Sequence, residues 1–204
     1  MSLEEHRVVF VVVTGVLVLL VASPALSRLL VFPRTEFFTE FWLLDSNHRA
    51  EDYPFNVTVG EEYNVFLGIG NRLGYAAYYK VAVKFRSQTQ LAPTSFGPVG
   101  NRTPSSLPAL FNITAFVEDE GVWELPLMFS FDYGHNETLS RIEFYGLMLN
   151  DVTLDMRGYA IAWNSTNNEF RGFLFFELWI YDRAIGNFQY HERFVSLRLN
   201  MTGS

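Results

Sequence analysis

Residues 62–86, EYNVFLGIGNRLGYAAYYKVAVKFR, decide how this chain is read. Tyr63, Val65, Leu67 and Ile69 recur at every second position, so they share one face of an extended segment. Val81, Val83 and Phe85 repeat the pattern against Lys80, Ala82, Lys84 and Arg86. The stretch between, Gly70-Asn71-Arg72-Leu73-Gly74, carries turn residues. Two alternating runs around a Gly/Asn turn predict strands, joined here as a hairpin.

Working outward, the same period recurs along the chain. Glu36–Leu44 is a short aromatic strand candidate, followed by the polar connector Asn47–Pro54. Thr89–Pro108 is rich in Pro, Ser, Thr and Gly and reads as a long loop of the kind that is functional or mobile. Further strands are expected at Phe111–Val117, Val122–Phe131, Arg141–Leu149, Tyr159–Trp163, Arg171–Tyr181 and Phe188–Leu199. Pro126 hints at an edge or bulge in its strand. Arg171–Tyr181 is the most apolar run and should be central. The expectation is a mainly β chain, a sandwich of about eight to nine strands. Phe contributes 20 residues, a heavy aromatic core for a domain without disulfides.

The amino-terminal region has a different character. Val8–Leu26 holds no charged side chain, and Leu29–Phe32 can extend it. A helix crossing a hydrocarbon core about 30 Å thick needs about 20 such residues. A cleaved export signal is the competing reading. Pro24 and Pro33 crowd the cleavage positions, no Ala-x-Ala stands there, and Glu4 and Glu5 oppose His6 and Arg7, so a retained anchor is favoured. This divides the chain into a cytoplasmic tail over 1–7, a transmembrane anchor over 8–30 and an extracellular β-sandwich over 31–204. Flanking charge does not orient the anchor, because Arg28 and Arg34 follow it while only Arg7 and the amino terminus precede it.

The sequons do orient it. Asn-x-Ser/Thr occurs at Asn56, Asn101, Asn112, Asn136, Asn164 and Asn200, all after the anchor. Composition alone gives about 1.6 such sites by chance. Six argue for an exported surface carrying N-linked glycans; Asn101 is the weakest acceptor, because Pro104 follows its Thr103. The formal net charge of −7 argues against nucleic acid or an anionic membrane surface as partner. Absence of cysteine excludes disulfides, zinc–thiolate sites and thiol catalysis.

No reaction is legible. His6, His48, His135 and His191 stand singly, with no His-x-His or His-Glu-x-x-His spacing. The acidic groups Glu51-Asp52, Glu61-Glu62, Glu118-Asp119-Glu120 and Asp151/Asp155 offer oxygen ligands, but none has a calcium-loop spacing. Paired carboxylates of the glycosidase kind are defined by distance in the fold, not by sequence. Gly68-Ile69-Gly70 lacks a following helix, so it reads as a strand running into a turn rather than a phosphate loop. The aromatic run Phe173–Tyr181 could line a sugar platform, though it reads first as a buried strand. Thr14-Gly15 is a small patch that would admit a close helix neighbour.

Over 37–85 the sequence resembles the opening of the exported region in domain-of-unknown-function family 1616. The residues carrying the likeness are Leu43–Asp52, Tyr53-Pro54, Asn56–Glu61 and Asn71–Gly74, with weaker similarity through Phe111–Phe131, Arg141–Tyr145 and Phe170–Tyr181. The resemblance implies an archaea-rich, membrane-bound setting and an immunoglobulin-like exported domain, and it brings no established activity.

The reading that follows is a single-pass cell-surface glycoprotein, its carboxy-terminal domain outside, with a structural or interaction role in surface assembly, a filament or a membrane complex. Its partners would be the membrane through Val8–Leu26, N-linked glycans, and other surface or membrane chains or further copies of itself. No cofactor, metal or catalytic residue is assigned. The alternatives are an exported carbohydrate-active or metal-dependent enzyme, and a secreted subunit released by signal cleavage. The segment Glu36–Leu44 is the expected place for strand exchange with a neighbour.

Overall fold

The computed structural model describes residues 3–29, 36–94 and 97–202. The boundary placed between 30 and 31, and with it Leu30, Pro33 and Arg34, lies outside the described residues. Two units are distinguished, Met1–Phe37 and Phe38–Ser204.

The first unit carries one helix, α1, Leu3–Leu29. Its 27 residues span roughly 40 Å at 1.5 Å per residue. Within it His6–Ser23 is long and apolar enough to cross a membrane, a property shared by retained anchors and export signals. Side chains from Val8 to Val21 are exposed. Thr14 satisfies its own hydroxyl by donating to the Phe10 carbonyl at 2.8 Å.

The second unit is built of eleven strands: β1 Phe38–Leu44, β2 Asn56–Val57, β3 Tyr63–Arg72, β4 Ala77–Ser87, β5 Phe111–Val117, β6 Val122–Asn136, β7 Arg141–Leu149, β8 Val152–Asp155, β9 Ala160–Ala162, β10 Arg171–Asp182 and β11 Asn187–Met201. Each of the nine segments expected from alternation is a strand. The two additional ones, β2 and β8, have two and four residues, too short for a period to show. They form two sheets, ordered β1-β3-β6-β7-β8 with β9 also on β7, and β2-β11-β10-β4-β5. Inward side chains of both meet in one buried core, the arrangement of a sandwich. Phe85 of β4 sits 4.9 Å from Phe144 of β7 and 5.7 Å from Phe131 of β6, ring centroid to centroid, so aromatic contacts join the sheets.

The hairpin expected over 62–86 is not formed. β3 pairs with β1 and β6, whereas β4 pairs with β10 and β5 in the other sheet. Both strands alternate as expected; Val65, Leu67 and Ile69 face Val81, Val83 and Phe85 across the core rather than along a ladder. Asn71, fully buried, makes the crossing. Its Nδ2 donates to the carbonyls of Tyr75 at 2.8 Å and Val117 at 2.9 Å, and its Oδ1 accepts from the Leu73 amide at 3.2 Å. Gly74 takes the positive φ of 81° that the bend requires.

β10 lies in the middle of its sheet, as its apolar run indicates. Pro126 lies in β6, an interior strand, yet pairing with β7 starts only at Phe129, so Pro126 has a strand neighbour on one side alone. Gly68 and Gly70 belong to β3 and are not the start of a turn. A Cβ on Gly68 would come within 2.1 Å of the Trp42 indole, and one on Gly70 equally close to the Glu40 carboxylate. The Gly-x-Gly spacing therefore seats two side chains of β1.

Candidate functional site

The outer face of the five-stranded sheet holds the chemistry. Along β10, Leu174, Phe176 and Leu178 point into the core. Period two sends Phe175, Glu177, Trp179 and Tyr181 to the other side. Phe175 and Glu177 are nonetheless fully buried. The connection between β4 and β5, foreseen as a long loop, covers them. It is tied down rather than free. The Ser105 amide donates to Glu177 Oε1 at 2.7 Å, and Lys84 Nζ donates to the Ser105 carbonyl at 2.8 Å. Lys84 Nζ also stands 2.8 Å from Glu177 Oε2, an ion pair whose side chains are 6% and 0% exposed. Further along, the Gly100 amide donates to Glu192 Oε1 at 2.6 Å.

Beside this strap lie buried polar atoms with no hydrogen-bond partner in the protein: Trp179 Nε1, Tyr190 Oη and Glu192 Oε2. Burial and the negative charges of Glu177 and Glu192 push the Tyr190 phenol up to about 12, so it stays a neutral donor.

Beyond the strap, the same face opens into a groove of about 830 Å³. Its walls come from the start of β4, the end of β5, the end of β10 and the start of β11. Tyr75 (57% exposed), Tyr78, Phe116 (63%) and Tyr181 supply aromatic surface, while Asp182, Arg183 and Gln189 supply polar groups. Tyr78 and Tyr181 both lean on Phe188, at 5.3 and 5.5 Å with interplanar angles of 50° and 73°. Such rings wall a cleft rather than pave a flat platform. Lys80 Nζ of β4 sits 4.9 Å from the Trp179 ring of β10 and 4.8 Å from the Phe188 ring of β11, joining three strands by cation–π contacts. Of the aromatic run singled out in the sequence, Phe175 and Phe176 are buried and only the Tyr181 end reaches the groove.

The histidines are not brought together. His48 stacks on Phe66 at 3.8 Å, with Nε2 3.1 Å from Glu124 Oε1. His135 packs edge-on against Phe170. His191 Nε2 lies 2.8 Å from Thr39 Oγ1, which is 3.1 Å from Tyr79 Oη, which donates to Asn71 Oδ1 at 3.2 Å. This polar chain ties β11, β1, β4 and β3 across the core. Burial, aided by Arg193, lowers His191 to about 4. The acidic turn after β5 is structural: Asp119 Oδ1 accepts from the Gly74 amide at 2.9 Å. Asp155 is held down at about 2 by Arg157. Among the described residues no group of three His, Asp or Glu is placed to hold a metal ion. One charged cluster escaped the sequence reading: Glu169, nearly buried, between Arg171 and Arg198, the latter at 2.9 Å. Its only signal is charge flanking an apolar strand.

The sequon asparagines stand around the domain. Asn56, Asn101 and Asn112 are exposed. Asn112 lies on β5, the outermost strand of its sheet. The other three are half-buried, with Nδ2 engaged: Asn136 on Glu143 at 3.2 Å, Asn164 on Gln88 at 2.6 Å and Asn200 on Asn56 at 2.9 Å. None of the six lines the groove.

Fold and site together define a β-sandwich domain with an aromatic cleft, carried on a chain with one amino-terminal apolar helix. The family described as Domain of unknown function (DUF1616) matches residues 33–157, and the chain belongs to it. No curated protein matches. Among solved structures, a β-glucosidase from Listeria innocua in complex with isofagomine is similar at 10% identity and a TM-score of 0.38, over 84% of this chain and 17% of that one. The ASH/PapD-like domain of human CEP192 is similar at 12% identity and a TM-score of 0.31, over 86% of this chain and 94% of that one. This chain thus corresponds to less than a fifth of the glucosidase.

Proposed function

We propose that this protein is a single-pass cell-surface glycoprotein whose sandwich stands outside the membrane and works by binding, with a structural or accessory role in a surface or membrane assembly. The observation that carries the reading is the aromatic groove. Tyr78, Phe116 and Tyr181, on strands that pack on the core, and Tyr75, in the bend before β4, are large side chains left in solvent. Exposed Tyr, Phe and Arg grouped at one place are the residues that anchor recognition surfaces. The sequons support the outward orientation, and none of their asparagines lines the groove. The helix α1 serves as the anchor, with residues 1–7 in the cytoplasm and the domain beyond it outside.

Purification from the native membrane in mild detergent tests this. The expected result is a chain that retains α1, carries added glycan mass and brings partner molecules with it. A chain recovered alone, unmodified and lacking α1 overturns the reading.

A further inference from the structure

We propose that the groove at Tyr75, Tyr78, Phe116, Tyr181 and Gln189 is a binding site for a neutral oligosaccharide chain. The inference rests on the reading of this domain as an outward-facing binding module and names its ligand class. A sugar ring offers two chemistries at once: a face of C–H bonds that packs on aromatic rings, and a rim of hydroxyls that both donate and accept. The groove supplies both. Its aromatic walls come from three strands and a turn, and its volume of about 830 Å³ lies inside the range of about 300–1,000 Å³ usual for small-ligand sites.

The polar complement suits hydroxyls. Gln189 is exposed and can donate through its amide nitrogen and accept through its oxygen. Arg183 is exposed. Asp182 commits one oxygen, Oδ1, to the Ala184 amide at 2.8 Å. Asp182 and Arg183 are the two charged side chains lining the cleft, and they cancel. A net charge of −7 on the whole chain disfavours an acidic polysaccharide. Tyr78, Tyr181 and Phe188 are turned from one another by 50–73°, which favours a chain seated between rings over one laid on a flat surface.

The test uses the full chain in lipid nanodiscs, since maltoside detergents would present sugar to the groove. Neutral hexasaccharides of glucose, mannose, galactose and N-acetylglucosamine are the probes, read by saturation-transfer NMR and titration calorimetry. Transfer to at least one is expected. Phe116→Ala and Gln189→Ala, both at exposed positions where folding is not at stake, should each weaken it by about tenfold. Tyr145→Ala, an exposed aromatic on the other sheet, should leave binding unchanged. No transfer to any probe, or unaltered affinity in both groove variants, overturns the proposal. If a protein cross-links at Phe116 in the native membrane while all four sugars fail, the ligand class falls and the binding role stands.

Discussion

The imidazole of His191 is kept neutral by the fold, because burial removes water and Arg193 repels a second positive charge; the groups facing it are the Thr39 hydroxyl and the Tyr79 ring. Its folded value of about 4 lies below the model-peptide 6.5, so the unfolded chain takes up the proton first. Stability is therefore full above about pH 6.5 and falls as the pH drops from there towards about 4, by about 2–3 kcal/mol from this residue. Denaturant titrations of the wild type and His191→Phe across that window should differ in slope, and parallel curves would contradict the assignment. Lys84 and Glu177 make the second residue-scale case. Removing one partner of a buried pair strands the other's charge, so Glu177→Leu should cost about 3–5 kcal/mol. The double variant Lys84→Met/Glu177→Leu should recover much of that. A single variant as stable as the wild type would mean the pair does not hold the strap.

At the scale of elements, β3 shows why a sequence can be read well and still be joined wrongly. Period two told which side chains of 62–86 face inward, and every one of those assignments is met in the core. It carries no information about whether the next strand lies alongside or across the core. Asn71, at the end of β3, holds the crossing through side-chain bonds to the carbonyls of Tyr75 in the connection and Val117 in the other sheet. The strap shows the same limit, since a Pro- and Ser-rich stretch reads as a loop whether it floats or is pinned by Glu177. The groove was less legible still. Tyr75, Phe116, Tyr181 and Gln189 lie far apart in the sequence, and only sheet order brings them together. Gly68 offers a direct check on the element level. Gly68→Val drives a side chain into the Trp42 indole on the outer face of β3, and displacement of that ring should cost about 1–3 kcal/mol. Trp fluorescence should shift with it; an unchanged spectrum and melting curve would place Trp42 elsewhere.

At the scale of the whole molecule, two features stand out. An apolar helix precedes a sandwich with an aromatic cleft, and none of the six sequon asparagines lines that cleft. The apolar helix was legible early, because hydrophobic length needs no fold to be counted. The groove was not, because it exists only once β4, β5, β10 and β11 are assembled. The absence of cysteine makes the decisive experiment clean. A single Leu139→Cys, exposed in the turn between β6 and β7, can be treated with a membrane-impermeant maleimide on intact cells, and the labelled chain weighed. If the domain stands outside on a retained anchor, intact cells are labelled, on a chain that still includes α1. Labelling that appears only after lysis, or a labelled chain without its helix, would contradict it.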